Sequence, residues 1–142
     1  MLSTSTSDSP LQATCHCGRI QITLPSRPAD LNECHCTVCY KYGAMWAYFD
    51  PETVDTKVSD GATLEGYIRS DEDSRRDISF NRCSHCGCMM TWRGVGKMEG
   101  IKRMGVNCRM VPEEHVEGIA RRMGLGPKRR TTKKSGKEEE KM

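Results

Sequence analysis

Cysteine spacing is the strongest constraint that this sequence places on its fold. Seven of the nine cysteines lie in three short motifs, a CxC, a CxCxxC and a CxxC, at Cys15–Cys17, Cys34–Cys39 and Cys83–Cys86. Such spacings are typical of metal sites rather than of scattered core thiols. Seven ligands divide naturally into four and three. Zinc held by four protein ligands is structural, whereas zinc held by three keeps one position open. The motifs therefore predict two zinc ions with different roles.

The expected cellular compartment favours metal over disulfide bonds. Residues 1–14 contain no apolar core of the kind that a secretory signal needs, and no run approaches the roughly 18 apolar residues of a membrane span. We therefore expect a cytoplasmic protein, with the nucleus as the alternative, and no membrane association. Thiols stay reduced in those compartments. Nine is also an odd number, so a complete disulfide framework would leave one cysteine unpaired.

Charge and composition divide the chain into one domain and two tails. Residues 1–12 are rich in Ser and Thr and are predicted to be disordered. Residues 1–120 carry 13 Lys and Arg against 16 Asp and Glu, whereas residues 121–142 carry 9 against 3. We expect a zinc-binding domain over residues 13–120 and a basic, disordered tail over residues 121–142. The tail could contact nucleic-acid phosphates weakly. The hydrophobic content of only 36% implies a thin core, which a bound metal can stabilise.

The hydrophobic pattern predicts a mainly β fold. Several short segments alternate polar and apolar residues or are rich in aromatic residues, and turn-forming residues separate them. The predicted strands cover residues 19–24, 44–49, 64–69, 76–82, 89–92 and 104–110. A polar turn is expected at residues 70–74. A short helix is expected to begin at residues 112–116, where a proline precedes two acidic residues.

The first and last cysteine motifs are expected to share one metal ion. Residues i and i+2 of a strand point to the same face, so Cys15 and Cys17 can present two thiolates together if the chain bends at Gly18. A CxxC turn brings Cys83 and Cys86 to a common zinc. Such an ion would tie the first strand to a late hairpin. Structural zinc is worth on the order of 10–16 kcal/mol in peptides, which exceeds the logarithmic entropy cost of closing the loop.

The middle motif supplies three ligands within six residues, Cys34, Cys36 and Cys39. No further Cys or His follows at motif spacing. The site is therefore either open, where zinc could bind and deprotonate an incoming thiol, or closed by a distant fourth ligand. The candidates for that ligand are Cys88, Cys108, His16, His35, His85 and His115. Cys88 and Cys108 are more simply interpreted as small core residues.

From about Ala13 to about Ile119 the chain resembles the glutathione-dependent formaldehyde-activating enzyme family, which also includes the centromere-protein V-type domain. The motifs that carry the resemblance are CHCG at Cys15–Gly18, CHCTVCYKYG at Cys34–Gly43, the strand pair around Tyr67 and Phe80, CSHCG at Cys83–Gly87 and VNC at Val106–Cys108. The chain departs from the family pattern after Cys39, where Tyr40 and Lys41 stand, and at Cys88. Neither departure removes a ligand.

The resemblance implies a fold, two zinc sites and an activity. The fold would be a β-tent of small antiparallel sheets stapled by zinc. The structural zinc would be held by Cys15, Cys17, Cys83 and Cys86, and the second, open zinc by Cys34, Cys36 and Cys39. The activity would be that of a zinc-dependent carbon–sulfur lyase acting on glutathione or another small thiol, with the condensation of formaldehyde and glutathione as the name reaction.

Two questions stay open at the level of sequence. Tyr40, Lys41, Tyr42 and His35 are near the middle motif in sequence, but none of them is identified as a general base. The alternative to an enzyme is a zinc-binding module that binds a partner protein or chromatin.

Overall fold

The computed structural model describes residues 11–69 and 77–124. These residues form ten strands and two single-turn helices. The strands are β1 Gln12–Thr14, β2 Ile20–Thr23, β3 Asp30–Cys34, β4 Trp46–Phe49, β5 Asp55–Val58, β6 Leu64–Ile68, β7 Ile78–Cys83, β8 Met89–Gly94, β9 Met104–Asn107 and β10 Ala120–Gly124. The helices are α1 Cys39–Tyr42 and α2 Glu113–Val116. Short 3-10 turns occupy Pro51–Thr53, Gly96–Met98 and Cys108–Met110.

The strands form two sheets, which confirms the predicted mainly β class. One sheet has three strands in the order β1-β2-β5, and the other has seven in the order β10-β3-β4-β9-β8-β7-β6. Strand pairs between described residues are antiparallel, except that β10 runs parallel to β3. None of the helices among the described residues is long and apolar enough to cross a membrane.

Most strand predictions agree with the structure to within two residues. Strands β2, β4, β6, β7 and β8 correspond to the segments predicted at residues 19–24, 44–49, 64–69, 76–82 and 89–92. The segment predicted at residues 104–110 is a strand only as far as Asn107, because the Asn107 side chain accepts a hydrogen bond from the Arg109 N–H and starts a 3-10 turn. Helix α2 lies where it was expected, with Pro112 at its N-cap. The turn predicted at residues 70–74 lies outside the described residues.

The folded part of the chain is longer at both ends than the sequence predicts. Gln12 lies in β1, and residues 121–124 lie in β10. Strand β10 pairs with β3 from Ala120 opposite Asp30 to Gly124 opposite Cys34. It escapes prediction because it is an exposed edge strand that carries two arginines instead of alternating apolar residues. The predicted boundary at residue 120 therefore falls inside a strand.

The seven-stranded sheet has a hydrophobic cluster on each face. Ala47 of β4 and Met45, which directly precedes that strand, belong to the main core, together with the fully buried Ile20 and Ile22 of β2. Trp46 lies between Met45 and Ala47 and belongs to a second, smaller cluster, because successive side chains of a strand point to opposite faces. The buried residues of that second cluster are Cys36, Cys39, Ala44, Trp46, Phe80 and Met89. The middle cysteine motif thus lies on the face of the sheet opposite to the main core.

Candidate metal centres

The four cysteines of the first and last motifs converge on one point. Their sulfur atoms all lie within 4.8 Å of one another, and this four-cysteine cluster comprises Cys15, Cys17, Cys83 and Cys86. The Sγ atom of Cys17 lies 3.5 Å from that of Cys15 and 3.7 Å from that of Cys83. These distances are too long for disulfide bonds, and all the cysteines are free. They match the separation of about 3.8 Å expected for two sulfurs bound tetrahedrally to zinc at about 2.3 Å.

Two glycine turns shape the four-cysteine cluster. Gly18 has a φ of +82° and Gly87 a φ of +84°, so each adopts the left-handed conformation that follows its motif. The turns also direct backbone N–H groups towards sulfur. The N–H of Ile20 lies 3.3 Å from the Cys15 sulfur, and that of His85 lies 3.3 Å from the Cys83 sulfur. Such donors stabilise thiolates, which are the form of cysteine that binds metal.

The four thiols do not ionise equally well without a metal ion. Burial raises the pKa of Cys15 to about 11. Burial also opposes ionisation of Cys86, but backbone N–H donors of Cys88 and Cys17 outweigh it and lower the pKa of Cys86 to about 5. A shared cation would favour the thiolate form of all four, because an opposite charge nearby lowers the pKa of an acid. The donor set therefore fits a metal ion better than four independent thiols.

The middle motif forms a second cluster on the opposite face of the seven-stranded sheet. The sulfur atoms of Cys34, Cys36 and Cys39 lie within 4.8 Å of one another, and we call them the three-cysteine cluster. Cys34 ends strand β3, and Cys39 begins helix α1. Cys36 and Cys39 are buried, whereas Cys34 is half-buried. The cluster is therefore accessible from the side of Cys34.

Two N–H groups hold the buried sulfurs of the three-cysteine cluster. The backbone N–H of Cys39 lies 3.3 Å from the Cys36 sulfur, which is part of the turn that begins α1. The indole Nε1–H of Trp46 donates to the Cys39 sulfur at 3.3 Å. The sequence suggested only a strand at Trp46. The hydrogen bond from Trp46 to Cys39 depends on the pairing of β3 with β4, in which Asn32 lies opposite Trp46. The sequence alone does not reveal this pairing.

The three thiols of this cluster compete for ionisation. Hydrogen bonds from Cys34 and Cys39 hold the pKa of Cys36 far below its usual value. Contacts with Cys34 and Cys36, together with burial, raise the pKa of Cys39 strongly. The contact with Cys36 and burial also raise the pKa of Cys34, against an opposing contact with Cys39. Only one thiolate is therefore favoured in the absence of a cation. A bound cation would favour three, because it attracts each of the negative charges.

The three-cysteine cluster has no fourth protein ligand among residues 11–69 and 77–124. In that part of the chain no other Cys, His, Asp or Glu lies within the distance that groups the three sulfurs. Among the candidates for a fourth ligand, His35 instead has its Nε2 atom 3.3 Å from a carboxylate oxygen of Glu33. Its ring lies 5.2 Å from that of Tyr40. Among the described residues, the cluster therefore offers three sulfur ligands and no fourth ligand.

The two remaining cysteines belong to neither cluster, although Cys88 contacts the neighbouring Cys86. Cys108 is fully buried in the main core, and burial raises the pKa of its thiol to about 12. Cys88 is half-buried and lines a surface cavity of about 790 Å³, together with His16 and His115. These side chains form no metal-ligand group among the described residues. That arrangement agrees with the interpretation of Cys108 as a small core residue.

Aromatic side chains surround the three-cysteine cluster. The Trp46 and Phe80 rings lie 6.3 Å apart, and the Tyr42 and Phe80 rings 5.6 Å apart. Trp92 lies 6.1 Å from Tyr48, and both are only half-buried. Gly105 leaves room for Trp92, since a Cβ at position 105 would come within 2.2 Å of the indole nitrogen. These rings form a partly exposed apolar surface beside the sulfurs.

Comparisons with known proteins agree with this arrangement. Residues 10–117, which include all seven clustered cysteines, match the family described as glutathione-dependent formaldehyde-activating enzyme. A Rhodobacter sphaeroides protein of known crystal structure is similar in fold, with a TM-score of 0.56 and 20% sequence identity over 79% of this chain and 100% of that one. No curated protein matches the chain. The family match covers most of the chain, which therefore belongs to the glutathione-dependent formaldehyde-activating enzyme family.

Proposed function

We propose that the protein is a zinc-dependent enzyme of the carbon–sulfur lyase type that acts on an adduct of glutathione or of another small thiol. One observation carries this proposal. Three sulfurs converge without a fourth ligand among the described residues, next to partly exposed aromatic rings, in a chain that belongs to a glutathione-dependent family. A purely structural site would be expected to enclose its metal with four protein ligands.

Zinc is the metal that best fits both donor sets. Soft thiolate ligands select zinc, copper(I) or iron–sulfur clusters, and zinc sites are characteristically tetrahedral. Cys15, Cys17, Cys83 and Cys86 would hold a structural ion that joins the β1–β2 turn to the β7–β8 turn. Cys34, Cys36 and Cys39 would hold a second ion. That ion would supply a Lewis acid that favours the thiolate form of a substrate thiol.

The surrounding residues would position the cluster and exclude water from it. The Trp46 N–H fixes the orientation of Cys39, and the backbone N–H of Cys39 fixes Cys36. Cys34 is half-buried, so a substrate would approach the cluster from its side. The half-buried rings of Tyr48 and Trp92 would cover part of a bound substrate and keep water away from the reacting sulfur.

The proposed reaction forms one carbon–sulfur bond. The sulfur of the thiol attacks the carbonyl carbon of formaldehyde, and the π electrons of the C=O bond move to the oxygen. The proton lost by the thiol is returned to that oxygen, which gives a hydroxymethyl thioether. The reverse reaction breaks the carbon–sulfur bond and restores the thiol and the aldehyde. No oxidant or reductant is needed in either direction.

Turnover of the glutathione–formaldehyde adduct tests the proposal. Zinc-loaded protein should accelerate the exchange between free and adducted glutathione, which can be followed by NMR. Cys36→Ser should abolish the acceleration because it removes a ligand of the second zinc. Cys88→Ser is the matched control, since Cys88 lies outside both clusters, and it should retain the activity. Equal activity of Cys36→Ser and wild type, or no acceleration by the wild type, would contradict the proposal. Partner binding without turnover would favour the zinc-module alternative.

A further inference from the structure

Cys88 is a fifth sulfur beside the four-cysteine cluster. It follows Cys86 and Gly87 directly, so a CxC motif overlaps the end of the last CxxC motif. The Cys88 thiol contacts the Cys86 thiol, and the backbone N–H of Cys88 donates to the Cys86 sulfur. The backbone N–H of His16, in the middle of the first motif, donates to the Cys88 sulfur. Cys88 thus lies against both motifs of the cluster without being one of its four members.

The turn between β7 and β8 keeps the Cys86 and Cys88 sulfurs together. The N–H of Cys83 donates to the carbonyl group of Cys88 at 2.9 Å, and the N–H of Gly87 donates to that of Cys83 at 2.9 Å. A disulfide bond requires two Cα atoms within about 7 Å of each other. Even a fully extended chain separates residues i and i+2 by only about 7 Å. The left-handed bend at Gly87 shortens that separation, so the two thiols can be joined without a large movement of the backbone.

The surface cavity of about 790 Å³ gives small molecules access to Cys88. Its walls come from β1, β2 and the turn between them on one side, and from residues 109–115 on the other. Cys88 is part of this lining, whereas none of the four members of the cluster is. Cys15 and Cys83 are buried. A reagent that enters the cavity therefore meets the sulfur of Cys88 before those of the metal ligands.

We propose that Cys86 and Cys88 form a redox pair, in which hydrogen peroxide that enters the cavity oxidises Cys88, and the oxidised Cys88 then forms a reversible disulfide bond with Cys86. The disulfide removes Cys86 from the four-cysteine cluster. The oxidation concerns the cluster that joins the two sheets and involves no residue of the three-cysteine cluster. It is therefore independent of the proposed carbon–sulfur reaction.

The oxidation proceeds in two steps and consumes one molecule of peroxide. The Cys88 sulfur attacks one oxygen of hydrogen peroxide, the O–O bond breaks, and a sulfenic acid and water are formed. The Cys86 sulfur then attacks the Cys88 sulfur, so that an S–S bond forms and the S–O bond breaks. The leaving hydroxide takes up a proton from solvent and becomes a second water. Each sulfur loses one electron, and the peroxide gains two. A small thiol reverses the reaction by thiol–disulfide exchange.

The disulfide would leave three sulfurs in the cluster, those of Cys15, Cys17 and Cys83. A structural zinc ion requires four protein ligands, and a disulfide sulfur carries no negative charge to attract the metal. The cluster joins the β1–β2 turn to the β7–β8 turn, so metal binding there is expected to be coupled to folding. Oxidation should therefore release the metal ion and lower the melting temperature. Reduction in the presence of zinc should restore both.

Peptide mapping after peroxide treatment tests the redox pair directly. The zinc-loaded full chain would be treated with hydrogen peroxide, unfolded, alkylated at its remaining thiols and digested with trypsin. Cleavage after Arg82 and Arg93 yields one peptide that contains Cys83, Cys86 and Cys88. We expect this peptide to carry a single alkyl group, on Cys83, and to have lost the two thiol hydrogens of the other cysteines. A disulfide between Cys83 and Cys86, with Cys88 alkylated, would overturn the proposal.

Zinc release from two cysteine variants provides the second measurement, with a chromogenic chelator as the probe. Both variants would be made in a Cys36→Ser background, where zinc should come from the four-cysteine cluster alone. Cys88→Ser should lose the disulfide and keep its zinc at a peroxide concentration that removes zinc from the background protein. Cys108→Ala is the matched control, because Cys108 is buried in the main core and does not line the cavity, and it should release zinc like the background protein. Equal release with and without Cys88 would overturn the proposal. Neither measurement requires turnover of the glutathione–formaldehyde adduct.

Discussion

Single hydrogen bonds to sulfur distinguish the three-cysteine cluster from a set of ordinary buried thiols. The Trp46 indole donates to Cys39 from the neighbouring strand, while the Cys39 N–H donates to Cys36 within the turn. Donors of this kind orient metal ligands, and their removal typically weakens metal binding. A residue that donates a hydrogen bond to a ligand can thus affect metal binding without being a ligand itself.

Replacing Trp46 by Phe should weaken the second metal site while preserving the fold. The variant keeps an aromatic ring against Phe80 but loses the N–H that holds Cys39. We expect metal affinity at the three-cysteine cluster to fall by about tenfold to a hundredfold, as for other residues that orient a ligand. Competition with a chromogenic chelator would measure it. Trp92→Phe is the control because the Trp92 indole makes no bond to sulfur among the described residues. Equal losses in both variants would contradict this role of Trp46.

The Cys108 thiol should make the stability of the protein dependent on alkaline pH. Burial raises its pKa in the folded state from the ordinary value of 9.0 to about 12. The contribution of Cys108 to stability is therefore complete below pH 9 and is lost as the pH rises towards 12. Above pH 9 the free energy of unfolding should decrease by about 1.4 kcal/mol per pH unit from this group. Urea unfolding of wild type and Cys108→Ala would measure the difference. An identical alkaline decline in both proteins would show that Cys108 does not titrate in this way.

Among the structural elements, the edge strand β10 is not predicted from the sequence, although it contacts the backbone of the three-cysteine cluster. It pairs in parallel with β3, and the carbonyl group of Gly124 accepts a 2.6 Å hydrogen bond from the His35 N–H. His35 stands between Cys34 and Cys36. Gly124 also lies against Asn32, where an added Cβ would come within 2.6 Å of the amide oxygen. The end of the sheet thus supports the backbone of the three-cysteine cluster.

Two truncations should separate strand β10 from the tail that follows it. Removal of residues 125–142 should leave the melting temperature and the metal content unchanged, because the described contacts of the cluster end at Gly124. Removal of residues 120–142 also deletes β10, exposes the edge of β3 and leaves the His35 N–H without its acceptor. This shorter protein should melt at a lower temperature and lose its second metal more readily. Equal behaviour of the two truncated proteins would contradict a supporting role for β10.

The cysteine clusters were predictable from the sequence, whereas their surroundings were not. Motif spacing is a local property that identifies Cys15, Cys17, Cys83 and Cys86 as candidate ligands; their sulfurs lie together, and metal binding there stays a prediction. Strands with clear alternation, such as β2, were predictable for the same reason. Strand β10 and the contacts of Trp46 and Tyr48 depend on which strands become neighbours and in which register. That information resides in pairing across the sheet and not in any single segment.

On the scale of the whole molecule, the two cysteine clusters connect different parts of the structure. The four-cysteine cluster joins the β1–β2 turn of one sheet to the β7–β8 turn of the other, so it links parts of the chain that are distant in sequence. The three-cysteine cluster lies on one face of a single sheet, between β3 and α1. Loss of a metal should therefore have global consequences at the first cluster and local ones at the second.

Stepwise removal of metal from purified, reduced protein tests this division most directly. Zinc content and circular dichroism would be measured together during titration with a chelator of increasing strength. We predict two zinc ions per chain: one lost early, with the β-sheet signal retained, and one lost late, together with the fold. Cys36→Ser should lack only the early step, and Cys86→Ser should lack the folded state. Protein without zinc, a single class of zinc, or unfolding upon loss of the first ion would contradict the account.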